Sequence, residues 1–371
     1  MYKKFVMGIA AMAALTLVSC SSDDLDSLSD NSSKNEAISF DGYLGRSAVA
    51  VNGSRGGVET ANTLQTKGFG VFSKYNGSAS FPDFDNQKVT YSDSKWTYTP
   101  LKFWPAKGEI NFLAYAPYNY AGTNTTLTGS SISFEVYNAV ANQKDLLWAN
   151  AKGQITESLT STKEKVKIHF YHALSRLGYT VKLSGDYPSK DVTFTLKKIT
   201  LAGSPDGTTK KAFYSKGTID LSKTNSETGL WKTEDTKQNF EWFSAGAQPV
   251  NITYVDPTDQ TKKPVSNGKD YLFVIPQDFS STADGADKLY VIVEYEINYK
   301  SGTPSTISNK VYKQITPKFL QGKAYMLNLT IGRPIEFDVD LTEGVGVEGW
   351  GTDEEINIGS GSNDNLWDGI E

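Results

Sequence analysis

The chain has 371 residues, a net charge of −5, one cysteine and two histidines. The acidic balance offers no basic patch for nucleic acid or anionic lipid, and one cysteine excludes an internal disulfide, so stability has to come from packing. The length allows a sizeable core and two domains at about 100–200 residues each.

Lys3 and Lys4 open a leader whose apolar run, Phe5 to Val18, is fourteen residues long and broken only by Gly8 and Thr16. A membrane-spanning helix needs about 20 apolar residues, so residues 1–19 are expected to be a cleaved signal peptide. Leu17-Val18-Ser19-Cys20 is similar to a bacterial lipobox, which predicts a diacylglycerol thioether on Cys20 and a mature chain of 352 residues starting there. Acyl chains bury about 0.8 kcal/mol per CH₂, so a multiply acylated terminus holds a chain on a membrane without a spanning helix. Ser21-Ser22-Asp23-Asp24 resembles the acidic signal that sends lipoproteins to the outer face of the outer membrane. Residues 20–36, rich in Ser, Asp and Asn, read as a flexible tether.

From Ile38 onward short runs of Val, Ile, Thr, Tyr and Phe recur between Gly, Asn, Asp and Pro clusters, the pattern of antiparallel β-sandwiches. The chain is expected to be all-β. Only four residues are arginine against 33 lysines, and Arg46 and Arg55 fall in the small-residue stretch from Gly45 to Gly57. An extended loop of that kind suits an arginine-specific protease, although a solvated surface charge is the plainer reading of residue type alone. Val166, Ile168 and Phe170 alternate with polar neighbours, as do Leu289, Val291, Val293, Tyr295 and Ile297, and each set puts one face in a core. The chain divides near Ala173-Leu174, giving an N-terminal sandwich over 37–173 and a C-terminal one over 174–350. Tyr325, Leu327, Leu329 and Ile331 alternate again, and so do Ile335, Phe337, Val339, Leu341, Val345 and Val347. Residues 351–371 form an acidic, Gly/Ser/Asn-rich tail.

No constellation for catalysis emerges. His169 and His172 lie three apart on a strand and project to opposite faces, so they do not share a metal. Gly344-Val345-Gly346-Val347-Glu348-Gly349 matches G-x-G-x-x-G, but Trp350-Gly351-Thr352-Asp353 follows where a dinucleotide site needs a helix start. Asp83/Asp85 and Asp364/Asp368/Glu371 lack the alternating ligands and glycine of a calcium loop. The expectation is a non-enzyme without metal or cofactor. The 7 Trp and 20 Tyr are expected mainly in the cores, with sugar stacking on exposed rings as the alternative.

A set of pieces in fixed order carries a family resemblance. Ile38-Ser39-Phe40 precedes the Arg/Gly stretch; Gly68-Phe69-Gly70-Val71-Phe72, Trp96-Thr97-Tyr98 and Phe103-Trp104-Pro105 follow. Asn111 to Pro117, Asp145-Leu146-Leu147-Trp148-Ala149, Phe170 to Leu177 and Tyr271 to Gln277 complete the series. Over nearly the whole mature chain this resembles the Bacteroides-type fimbrillins, the Mfa-like and FimA-like subunits of type V pili. The resemblance implies two tandem transthyretin-like β-sandwich domains and a precursor carried to the surface as a lipoprotein. It further implies a cut after an arginine near the N-terminus, and assembly by strand exchange with other pilus subunits. On this chain Ile38 to Leu44 would be the strand removed, with Arg55 or Arg46 as the cut site. The strand Ile335 to Val347, or the tail beyond it, would be the donor, unless it is simply the last strand of its own domain. The outer membrane, through Cys20, and a host or bacterial surface receptor are the other partners implied. The alternative is a surface glycan-binding sandwich that does not polymerise.

Overall fold

The computed structural model describes residues 37–44, 58–77, 81, 83–155, 165–225, 229–246, 249–256, 258, 263–268, 270–332 and 336–344. Cys20, Arg46, Arg55, Ile335, Val345 and Val347, the leader, the tether and the acidic tail lie outside the described residues.

The first half contains β1 (Phe40–Leu44), α1 (Ala61–Lys67), β2 (Phe69–Asn76), β3 (Gln87–Ser92), β4 (Lys95–Thr97), β5 (Glu109–Ala116), β6 (Ser131–Glu135), β7 (Leu147–Ile155) and β8 (Val166–His172). Seven of these strands form one sheet in the order β1-β8-β7-β5-β2-β3-β4. The alternation of β8 buries Val166, Ile168 and Phe170 on one face. The nearly continuous apolar run of β5 has a different cause, since this central strand is covered on both sides. Ile110, Phe112, Ala114 and Ala116 enter a first core, while Leu113 and Tyr115 enter a second. The helix α1 is a single short element stopped in place by its caps: Thr60 and Thr63 form a reciprocal capping box, and Gly68 ends it at φ 72°.

The second half runs through β9 (Ser175–Leu183), β10 (Val192–Ala202), β11 (Phe213–Tyr214), β12 (Lys216–Asp220), β13 (Trp231–Thr233) and β14 (Lys237–Gln238). It continues with β15 (Phe240–Ser244), β16 (Val250–Ile252), β17 (Val265–Ser266), β18 (Leu272–Val274) and β19 (Gln277–Asp278). It ends with β20 (Leu289–Tyr299), β21 (Ser305–Ile315), β22 (Lys318–Phe319), β23 (Ala324–Gly332) and β24 (Glu336–Gly344). One sheet has the order β15-β10-β20-β21, with β16 also on β10; another has the order β17-β9-β23-β24, with β18 also on β9. Phe194, Leu196 and Val291 from the first and Tyr179, Val181 and Leu327 from the second meet in the second core, which makes this an all-β sandwich. The pairings are antiparallel except for β1 with β8 and β9 with β23, and a parallel pair needs a long crossover.

The sheet changes at Ala173 and Leu174, between the end of β8 and the start of β9. The two halves nevertheless share structure. Strand β6 pairs with β12 from Glu135↔Lys216 to Ser131↔Asp220, and Phe72, Tyr115 and Trp148 of the first sheet pack in the second core.

Candidate functional site

Strand β1 is the first strand of the described chain and stands at one end of the seven-stranded order, in parallel register with β8 from Phe40↔Val166 to Leu44↔Phe170. Strand β4 stands at the other end, yet the two touch. The sheet curls until its edges meet, and β1 is the seam. Side chains two apart on a strand share a face, so Ile38, Phe40 and Leu44 all point inward, at 1%, 1% and 6% exposure. The Phe40 ring stands edge-on to Phe69, Phe84 and Phe112 and tilts against Tyr98, with Phe84 and Phe112 centroids within 5.5 Å. Each such residue contributes roughly 1.5–3 kcal/mol by leaving water.

Polar contacts hold the same seam. Tyr98 Oη donates to the carbonyl of Ile38 at 2.7 Å, and the Trp96 indole N–H donates to the carbonyl of Gly42 at 2.9 Å. The Ile38 N–H donates to Lys102 O, and Val166 N–H to Ser39 O, both at 2.8 Å. Burial pushes the Tyr98 phenol above its ordinary range, partly offset by its backbone hydrogen bond with Lys102. On the outer face Tyr43 stacks on His169 at 4.6 Å, and His169 lies 4.4 Å from Tyr171.

Residues 45–57 join Leu44 to Val58, where the chain is again fixed in the core. Val58 packs in the second core, and Glu59 is 1% exposed. The Glu59 backbone N–H donates to Asp145 Oδ2 at 3.0 Å, and its carboxylate accepts from Thr63 Oγ1 at 2.7 Å and pairs with Lys67. Burial raises the Glu59 carboxyl above its usual range, against the pull of Lys67. Asp145 Oδ2 also lies 2.7 Å from His172 Nδ1, with both side chains fully buried. Arg176 is fully buried beneath the sequence junction, its guanidinium 4.5 Å from the centre of the Tyr271 ring.

Of the donor candidates, Phe337, Val339 and Leu341 lie in β24, which pairs along its whole length with β23, from Gly332↔Glu336 to Ala324↔Gly344. Val339 is 9% exposed and Leu341 half-buried. His169 and His172 have separate surroundings, and among the described residues no group of three or more His, Cys, Asp or Glu is placed to hold a metal. The described tryptophans, Trp96, Trp104, Trp148, Trp231 and Trp242, are buried or half-buried. They fill cores and leave no flat tryptophan platform among the described residues. Sequence reasoning missed the buried Glu59–Asp145–His172 group and the inward-facing Gly42. The only trace of the first was that Asp145 and His172 each stood inside an ordered piece of the family pattern.

The fimbrillin-like family model matches residues 58–350, well over half of the chain. The chain belongs to the fimbrillin-like family. A fimbrium subunit, Fim1C, of Phocaeicola vulgatus is 27% identical over 390 residues, covering 94% of this chain and 97% of that protein. A fimbrial protein from Bacteroides vulgatus, known from its crystal structure, matches at 22% identity with a TM-score of 0.59, covering 85% of this chain and all of that one. The latter likeness is one of fold. In this fimbrillin-like chain the family match begins at Val58, the point where the chain re-enters the core after residues 45–57.

Proposed function

We propose that this chain is a non-catalytic structural or accessory subunit of a cell-surface fimbria with a role in adhesion. It reaches the outer membrane as a lipoprotein acylated on Cys20, is cut after Arg55 or Arg46, and joins other subunits when a neighbour's strand takes the place of β1. Its two halves, 37–173 and 174–350, are the tandem transthyretin-like domains of that assembly, and the strand Ile335 to Val347, or the tail beyond it, is the segment it donates to a subunit of another kind.

The observation that carries this reading is the seam. Ile38 and strand β1 supply three core residues and main-chain bonds, yet along the chain they connect to the remainder of the described fold through 45–57, the segment that holds both candidate arginines. Loss of β1 leaves an unpaired β8 edge over an aromatic core, and a strand from another chain restores both the ladder and the side chains. The kinship with a fimbrium subunit and the start of the family match at Val58 support the same assignment.

The test is to treat the purified full chain with an arginine-specific protease, sequence the new N-terminus, and follow size by light scattering. A terminus just after Arg46 or Arg55 together with oligomers supports the reading. A trimmed chain that stays monomeric, even when mixed with the other subunits of its system, removes the polymerising role.

A further inference from the structure

The seam also specifies which strand it accepts, an inference that rests on the exchange of β1 proposed above. From Ile38 through β1 the inward positions are Ile38, Phe40, Gly42 and Leu44, so one of four carries no side chain. A Cβ built on Gly42 would lie 2.8 Å from Phe69 Cε1 and 3.3 Å from Trp96 Cε2. Neither ring is at the loose end of a flexible side chain. Phe69 is fully buried, edge-on to Trp96 at 4.9 Å and to Phe170 at 5.2 Å, and Trp96 is tied to the Gly42 carbonyl itself. Any side chain at this position has to displace a packed aromatic pair, and overpacking of that kind is resisted by close-packed interiors.

The chain contains a near copy of β1. Ile335-Glu336-Phe337-Asp338-Val339-Asp340-Leu341 agrees with Ile38-Ser39-Phe40-Asp41-Gly42-Tyr43-Leu44 at four of seven positions, the Ile, Phe, Asp and Leu. In that alignment Val339 falls on Gly42. The copy matches the large pockets and fails at the one that has no room. Its residues Glu336 to Leu341 are also already paired with β23 in their own sheet, a ladder they would have to leave.

We propose that Gly42 marks a glycine gate: the groove under β1 admits a strand with a large aliphatic, an aromatic, a glycine and a large apolar residue at alternate positions, supplied by a different subunit, and excludes this chain's own 335–341 segment. Discrimination comes from a built-in clash rather than from added attraction, which is how closely similar strands are told apart.

The test uses the full chain nicked by an arginine-specific protease with both pieces retained, and labelled peptides of four sequences added in excess. The Ile38–Leu44 peptide should exchange into the groove. Its Gly42→Val form should bind about tenfold to a hundredfold more weakly, as should the 335–341 peptide, and Val339→Gly should recover binding of the latter. Equal binding of the Gly42 and Gly42→Val peptides, or tight binding of the unaltered 335–341 peptide, overturns the gate while leaving strand exchange intact. Failure of all four peptides to bind overturns exchange itself, and the gate with it. A separate reading needs no exchange: in the uncut full chain Gly42→Ala should lower the melting temperature, and an unchanged melting temperature also overturns the gate.

Discussion

The Trp96 indole N–H donates to the Gly42 carbonyl across 2.9 Å, although β4 and β1 stand at opposite ends of the seven-strand order. This bond closes the curled sheet. Trp96→Phe keeps an aromatic in the core and removes the donor, so the half-buried carbonyl loses this partner at a cost of about 0.5–1.5 kcal/mol. The expected outcome is a lower urea midpoint at an unchanged m-value, with faster loss of the β1 piece from the nicked chain in gel filtration. Retention equal to wild type would mean that this bond does not hold the strand, and that pairing with β8 and burial of the Phe40 ring suffice.

Phe40 and Asp41 are adjacent and opposite in effect. The Phe40 ring is surrounded by Phe69, Phe84, Phe112 and Tyr98, whereas Asp41 is exposed. Phe40→Ala should destabilise the uncut chain by about 3–5 kcal/mol, and Asp41→Ala should fall within roughly 0.5 kcal/mol of wild type. Chemical denaturation reads both. If the two variants unfold alike, β1 contributes nothing to the first core.

The buried group that starts just after residues 45–57 in the chain gives a third expectation. Asp145 accepts the Glu59 N–H and faces His172, so Asp145→Ala leaves a buried donor and a buried imidazole without their shared carboxylate. Truncating one member of such a group costs about 3–5 kcal/mol. Here the loss is local as well as global, because Glu59 is the fourth residue of the chain that remains after a cut at Arg55, which starts at Gly56. Mass spectrometry after a brief second digestion with a protease of broad specificity should show trimming of the variant beyond Val58, whereas the wild type stops ahead of it.

What the sequence disclosed follows from periodicity. Alternation at Val166–Phe170 and Leu289–Ile297 carried the strand direction and the buried face, because a period of two is written locally. Strand partners are not written locally. Nothing in Phe40–Leu44 announces that it lies parallel to β8, or that Ser131–Glu135 leaves the first sheet to pair with Lys216–Asp220. The double-sided β5 was legible only as an apolar run, since which face of Leu113 and Phe112 meets which core depends on strands distant in the chain. Arg176 and Asp145 illustrate the same limit: a charged side chain in a sequence looks solvated until its burial partners are in place.

Alkaline pH should open the seam through Tyr98. Burial holds the phenol protonated beyond its ordinary pKa of about 10, and in that form Oη donates to Ile38 O at 2.7 Å. Because the folded-state pKa lies above the unfolded one, this stabilisation is complete below the unfolded pKa and is lost as pH rises through the folded one. A phenolate there would face the Ile38 carbonyl without a proton to share. Tyr115, Tyr120, Tyr179 and Tyr295 are also pushed upward by burial, but they belong to the second core, away from β1. Retention of the β1 piece in the nicked chain, followed from pH 8 to about pH 11 alongside phenolate absorbance, should therefore fall in wild type. Tyr98→Phe should start lower by about 0.5–1.5 kcal/mol and show a shallower alkaline fall. An identical pH profile in both proteins would assign the alkaline loss to the other tyrosines and remove Tyr98 from the control of the seam.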